Sequence, residues 1–92
     1  MHMDVSLVDG LVIVAVDGEL DAVSAPALAS ALGELQPSAH VVLNMSEVEF
    51  IDSTGLRVIL EHAIRMCESD GSLRIRTASP QVHRLLHITN LD

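Results

Sequence analysis

The sequence predicts an α/β domain: a mixed four-stranded sheet, with an N-terminal antiparallel hairpin followed by parallel strands, and helices packed on it. Asp9 and Gly10 join two short runs rich in valine and leucine, and an Asp-Gly pair in this setting is a strong hairpin signal. Two later strand-like runs, at 40–45 and 73–76, each follow a stretch of helical periodicity. Strands that alternate with helices pair in parallel, so the predicted order is β-β-α-β-α-β-α.

The first half of the chain is predicted to hold two strands and one helix. The strands cover 4–8 and 11–16, and the second is apolar almost throughout, which is typical of a central strand covered on both faces. Residues 17–21 are predicted to leave that strand as an acidic loop. Ser24 is a candidate N-cap for the first helix, which then continues until the stop signal at 36–38.

The second half repeats the alternation of strand and helix. A buried strand over 40–45 leads through a short link at 46–48 towards a helix over about 54–68. The alternating residues 73–76 predict a half-exposed strand. A Ser-Pro pair at 79–80 then opens a third helix, because proline is well tolerated in a first helical turn.

The composition favours a protein partner over nucleic acid or a membrane surface. The net charge is −8, no residue is lysine, and Phe50 is the only aromatic side chain. An acidic surface repels phosphate backbones and anionic lipid, and one aromatic side chain offers no platform for base stacking. The same charge favours a partner with a basic patch.

The sequence also favours a cytoplasmic location. No apolar run has the length of a membrane span, and the N-terminus lacks a basic region followed by an apolar core. Cys67 is the only cysteine, so the chain has no internal disulfide, as expected in a reducing compartment. Cys67 shares the apolar side of the second helix with Ile59 and Ala63, and we expect it in the core.

A polar segment, Asp52, Ser53 and Thr54, stands where the third strand gives way to a helix. The carboxyl ends of parallel strands meet at one edge of a sheet, so this segment should lie near 17–21. Two interpretations stay open from the spacing. Either Asp52 or Ser53 simply caps the helix, or the two hydroxyls serve a binding or chemical role.

Other chemistry has less support from the residues. An acidic set at this edge could bind Mg²⁺ and carry a phosphoryl group, but the chain has no lysine to neutralise that group. The set is Asp17, Glu19, Asp21 and Asp52. His83 and His87 have a spacing that can bind a metal, yet no third ligand is evident. Ser53 lacks the glycine-flanked elbow and the base of a hydrolytic serine.

Three segments form a recognisable set: FIDSTGL at 50–56, GELD at 18–21, and the helical segment within 79–91. Together they resemble the STAS domain of bacterial anti-anti-sigma factors, also called anti-sigma factor antagonists. The resemblance spans residues 5–91, and the STAS-like fold has the order of strands and helices predicted above.

The resemblance implies a phosphorylation switch and not an enzyme, with no cofactor and no metal. Members of this family bind an anti-sigma factor that is also a serine kinase, and binding frees the sigma factor. The kinase then phosphorylates the serine after the aspartate, the complex dissociates, and a serine phosphatase resets the switch. Carried over to this chain, the acceptor is Ser53, while Thr54 replaces a common serine and leaves a second hydroxyl.

The resemblance also implies a docking surface around the acceptor. Asp52 would order the helix start, and Asp21 with its loop would contact the partner. The implied partner-binding residues are Gly18, Glu19, Asp21, Asp52, Ser53, Thr54 and Gly55.

Two alternatives remain open. One is a STAS module without phosphorylation, such as the small subunit of a lipid ABC transporter or a scaffold of a stress-signalling complex. The other is a small acidic enzyme or a metal-dependent phosphoacceptor. We expect a single domain over 1–92, in which either the family's C-terminal helix is missing or a partner covers the open face of the sheet. An uncovered face would also favour a homodimer.

Overall fold

The computed structural model describes residues 1–76, which form a four-stranded sheet with two helices. The strands are ordered β1-β2-β3-β4; β1 is antiparallel to β2, and the other neighbouring pairs are parallel. This confirms the predicted mixed sheet, and the predicted third helix lies outside the described residues. The elements are β1 (His2–Val8), β2 (Leu11–Leu20), α1 (Ala25–Gly33), β3 (His40–Ile51), α2 (Ser53–Glu68) and β4 (Ser72–Arg76).

The N-terminal hairpin turns at the predicted Asp-Gly pair. Val8 pairs with Leu11, and the two residues between them have positive φ angles of 52° at Asp9 and 83° at Gly10. Both angles suit the right-handed twist of a two-residue hairpin, and aspartate and glycine are among the residues that tolerate them best. The turn places β1 as an antiparallel edge strand beside β2.

One apolar core joins the two helices to one face of the sheet. Its members are Val14, Val16, Leu20, Ala25, Leu28, Leu32, Val41, Leu43, Met45, Val48, Ile51, Ile59, Ala63, Met66 and Leu73. The prediction that β2 is a central strand and not an edge strand is confirmed, because β2 lies between β1 and β3. Val14 and Val16 are buried, whereas Ile13 and Ala15, which alternate with them, are only half-buried.

The end of β2 and the middle of β3 differ from the prediction, because β3 bulges twice against β2. Residues 46–48 are part of β3 and not a link, and residues 17–20 are part of β2 and not a loop. The pairing shifts between Ala15 and Asp17 and again between Gly18 and Glu19. Each shift gives β3 one extra residue relative to β2. Buried side chains therefore recur every second residue as far as Met45, and then every third residue at Val48 and Ile51.

The two helices pack against each other, and a side chain of α2 caps the end of α1. The guanidinium of Arg65 donates a hydrogen bond from Nη2 to the carbonyl oxygen of Leu32, at 3.0 Å. A cation at a helix C-terminus also interacts favourably with the helix dipole. The helix α1 ends at Gly33, before the predicted stop at 36–38.

The stability of this helix pair is expected to depend on pH through His62. Burial, and then the charge of Arg65, lower the pKa of His62 below its ordinary value of 6.5. The unfolded chain therefore binds a proton first as the pH falls through 6.5, and stability decreases until the folded form is protonated too. We expect His62→Gln to show a smaller loss of melting temperature than the wild type between pH 7.5 and 5. Equal slopes for the two proteins would contradict this.

Cys67 is exposed, so its predicted place in the core is wrong. The buried line of α2 runs through Gly55, Ile59, Ala63 and Met66. Cys67 follows Met66 by one residue, and one step along an α-helix turns a side chain by about 100°, towards solvent.

None of the helices in residues 1–76 has the length and apolar character needed to cross a membrane.

Candidate functional site

The candidate site lies where β2 and β3 end side by side. Leu20 and Ile51 are paired, and the backbone N–H of Asp52 donates a hydrogen bond to the carbonyl oxygen of Leu20, at 3.1 Å. Asp21 and Asp52 therefore each follow directly after one of two neighbouring parallel strands. The predicted meeting of these two segments at one edge of the sheet is confirmed.

Asp52 is the N-cap of α2. Its carboxylate oxygen Oδ1 accepts a hydrogen bond from the backbone N–H of Gly55 at 3.0 Å, and its backbone is extended. Its carbonyl oxygen accepts the first helical hydrogen bond, from the N–H of Leu56. The capping interpretation of Asp52 is thus confirmed, and the hydroxyl of Ser53 is not needed for that role.

Removing this cap should destabilise the domain by a measurable amount. We expect Asp52→Ala to lower the free energy of unfolding by about 1 kcal/mol, because the N–H of Gly55 loses its acceptor. Asp52→Asn keeps a side-chain oxygen at the same place and should remain close to the wild type. Urea denaturation of the three proteins measures the difference. A loss as large for asparagine as for alanine would show that the cap is not the cause.

Ser53 and Thr54 are the first two residues of α2, and both are exposed. At a helix start the backbone N–H groups lack intrahelical acceptors and the helix dipole is positive. An anion covalently attached at this point would therefore be tolerated by the fold. The geometry makes both hydroxyls accessible, and it puts Ser53 directly beside the capping carboxylate.

Gly55 allows the start of α2 to approach β2 closely. A Cβ atom at this position would lie 2.7 Å from Cγ and 2.8 Å from the carbonyl oxygen of Leu20. Leu20 is fully buried, and its carbonyl already accepts the hydrogen bond from Asp52. Only glycine fits this contact without a shift, so Gly55 fixes where the helix start and its two hydroxyls stand.

Asp21 holds the turn between β2 and α1. Its Oδ1 accepts hydrogen bonds from the backbone N–H groups of Val23 and Ser24, both at 3.0 Å. The N–H of Ser24 is the main reason that the pKa of Asp21 lies below its ordinary value of 3.8, with the Ser24 hydroxyl adding to the effect and partial burial opposing it. The single hydroxyl hydrogen of Ser24 is shared between the carbonyl oxygen of Glu19, at 2.7 Å, and Oδ1 of Asp21, at 3.2 Å. The Ser24 side chain thus stabilises this turn and does not cap α1.

Gly18 and Glu19 lie on β2 and not in a loop. Gly18 has a φ of 86°, a backbone conformation that residues other than glycine rarely adopt. It stands at the second shift in pairing with β3. Glu19 is exposed and is paired with Phe50. Glu19 therefore stands one residue before the paired ends of β2 and β3, whereas Gly18 contributes a backbone conformation at the bulge.

The acidic residues of this edge do not form a metal centre. Among residues 1–76, no three histidine, cysteine, aspartate or glutamate side chains are placed to hold a metal ion. His83 and His87 lie outside the described residues. An open pocket of about 210 Å³ is lined by Asp17 and Glu47 together with His2, Asp4, Ala15 and Val16, and its lining contains neither Asp52 nor Ser53.

Comparison with known proteins decides the family. The family model of the STAS domain matches residues 2–92. The chain belongs to the STAS domain family. The sequence resemblance is thereby confirmed over nearly the whole chain.

Three similar proteins are named anti-sigma factor antagonists. The anti-sigma F factor antagonist of Paenibacillus polymyxa is 32% identical over 85 residues, which cover 89% of this chain and 73% of that protein. The anti-sigma-B factor antagonist of Bacillus subtilis (strain 168) is 32% identical over 92 residues, which cover 99% and 84%. The crystal structure of an anti-sigma factor antagonist from Mycobacterium paratuberculosis is 33% identical with a TM-score of 0.83, and the match covers 99% of this chain and 79% of that one.

This STAS domain also exposes apolar side chains that were not included among the predicted site residues. Phe50 is 50% exposed and Val23 is 88% exposed. Phe50 precedes Asp52 by two residues, and Val23 follows Asp21 by two. The sequence carries one usable signal for Phe50, since it is the only aromatic residue of the chain.

Proposed function

We propose that this chain is an anti-sigma factor antagonist whose unphosphorylated form binds an anti-sigma factor and so frees a sigma factor. The anti-sigma factor would also be the serine kinase, Ser53 the acceptor, and phosphorylation the step that ends binding. A serine phosphatase would restore the binding form. We place this switch in the cytoplasm, and the chain has a regulatory role in it and no catalytic one.

The position of Ser53 is the observation that carries the proposal. Ser53 is exposed, it is the first residue of α2, and the preceding Asp52 already supplies the cap. A kinase can therefore reach the hydroxyl without breaking a hydrogen bond that holds the helix start. The relatives named anti-sigma factor antagonists support the proposed kind of partner, an anti-sigma factor.

Charge explains how phosphorylation would end binding without unfolding the domain. A phosphoserine adds about −1.5 to −2 charges at pH 7. The helix start favours an anion, so the domain stays folded. In a buried contact, the same charge lies beside Asp52 and must be desolvated next to other acidic residues of this edge. A loss of about 3 kcal/mol in binding free energy corresponds to roughly a hundredfold weaker complex.

A kinase assay tests the proposal. The purified chain is incubated with ATP and each kinase-type anti-sigma factor encoded in the source genome, and mass spectrometry locates the phosphate. We expect one phosphate on Ser53 in the wild type and in the matched control Thr54→Ala, and none in Ser53→Ala. Equal phosphorylation of wild type and Ser53→Ala would show that the acceptor is wrong. Binding without any phosphorylation would favour the STAS module that works without this switch.

A further inference from the structure

We propose that Phe50 is the apolar anchor of the docking surface on this domain, and that it inserts into an apolar pocket rimmed by basic residues on the anti-sigma factor. The inference rests on the proposed function and names the residue that holds the partner. Phe50 was not among the partner-binding residues implied by the resemblance. It differs from Ser53, which carries the acceptor hydroxyl, and from Asp52, which caps α2.

The exposure of Phe50 has no explanation in the packing of the described residues. Its neighbour in the chain, Ile51, is buried in the core, and alternation along β3 directs Phe50 to the opposite side. Phe50 is paired with Glu19 on β2, which is also exposed, while the next pair, Leu20 and Ile51, faces the core. Half of the surface of the only aromatic side chain is thus left in water.

The surroundings of Phe50 indicate the chemistry of its partner. Segments 17–21 and 46–54 contain no arginine, lysine or histidine, and their acidic residues are Asp17, Glu19, Asp21, Glu47, Glu49 and Asp52. The N-terminus lies beside the first of these segments, where the backbone N–H of His2 donates a hydrogen bond to Asp17. The acidic rim of Phe50 is therefore formed by Glu19, which is paired with it, and by Glu49 and Asp52 in its own chain segment. An apolar side chain with an acidic rim is complementary to an apolar pocket with a basic rim, and charge complementarity also speeds association.

Aromatic residues near the centre of an interface commonly carry much of the binding energy, while the surrounding polar rim excludes water. Phe50 stands between Glu19 on the neighbouring strand and Glu49 and Asp52 in its own chain segment. Val23, on the turn held by Asp21, adds exposed apolar area at the same edge of the sheet. Ser53 lies three residues beyond Phe50 in the chain, directly after the paired ends of β2 and β3.

Binding measurements on matched variants test the inference. Each anti-sigma factor encoded in the source genome is purified, and its affinity for the unphosphorylated chain is measured by isothermal titration calorimetry at low and high salt. We expect Phe50→Ala to bind about 30-fold more weakly than the wild type, as expected for an interface hot spot, and Phe50→Leu to lie between the two. The control is Leu7→Ala, because Leu7 is 73% exposed on β1 towards the opposite end of the sheet. It should bind like the wild type.

The outcomes separate this inference from the proposed function. If the wild type binds an anti-sigma factor and Phe50→Ala binds it equally well, the anchor is wrong while the function stands. If the wild type binds none of them, both fail. If Phe50→Ala lowers the melting temperature by as much as a core substitution, Phe50 packs within its own chain and the inference is overturned. Affinity that does not weaken with salt would contradict the basic rim.

Discussion

Replacing Ser53 by glutamate is expected to leave the domain folded and to weaken its binding to an anti-sigma factor by about a hundredfold. The substitution places a negative charge at the exposed first residue of α2, where the helix dipole favours it. The free protein therefore keeps its circular dichroism spectrum and its melting temperature. In the complex, the same charge is desolvated beside Asp52, and repulsion between like charges opposes binding.

A neutral variant of the same size separates charge from shape. Ser53→Gln adds nearly the same volume as Ser53→Glu but no charge, so we expect it to retain most of the affinity. High salt should narrow the difference in affinity between the wild type and Ser53→Glu, since screening weakens the repulsion at residue 53 in the variant as well as the attraction to a basic rim that both proteins share. An equal loss for glutamine and glutamate, independent of salt, would mean that the switch works by steric exclusion.

The elements that follow from local chemistry could be predicted from the sequence. The Asp9-Gly10 turn requires two positive φ angles, and few residue pairs adopt them easily, so the hairpin was predictable. The helix α2 has a clear start at Asp52 and a buried line through Ile59 and Met66. Alternating strands and helices then determine which strands pair in parallel.

The two bulges in β3 could not be predicted, because they depend on pairing with β2. Residues 46–48 break the alternation of apolar and polar positions, and a break of this kind resembles the end of a strand. In the structure the strand continues, and the side chain of Asn44 accepts hydrogen bonds from the backbone and hydroxyl of Ser46 at the first bulge. Periodicity within one strand contains no information about the extra residue opposite β2.

The location of the candidate site could be predicted from the sequence, but the structural role of each residue in it could be predicted only in part. The end of parallel strands and the start of a helix located Asp52 and Ser53 correctly. The turn held by Asp21 and the close approach at Gly55 depend on contacts between distant segments. Phe50 belongs to the FIDSTGL motif, and its exposure depends on its pairing with Glu19 after the second bulge, which periodicity along β3 does not reveal.

Replacing Gly55 by alanine is expected to destabilise the domain by about 2 kcal/mol. The new Cβ would lie 2.8 Å from the carbonyl oxygen of Leu20, and a backbone atom of a central strand cannot move away cheaply. Relief requires the start of α2 to shift, which stretches the hydrogen bond from Asp52 to Leu20. The higher helix propensity of alanine returns about 1 kcal/mol and does not compensate for this overpacking. Urea denaturation measures the stability, and amide exchange at Leu56 reports the helix start.

The same substitution at Gly33 provides the matched control, because its sign should be opposite. Gly33 is the last residue of α1, and the atom nearest to a Cβ there is Cε1 of His62, at an ordinary distance of 3.9 Å. Alanine restricts the unfolded chain and favours the helix, so Gly33→Ala should stabilise the domain by about 0.5 kcal/mol. Destabilisation at both glycines would indicate a general intolerance of α-helix substitutions. Opposite signs would show that Gly55 is required by its contact with Leu20, and hence that β2 determines where the Ser53 hydroxyl stands.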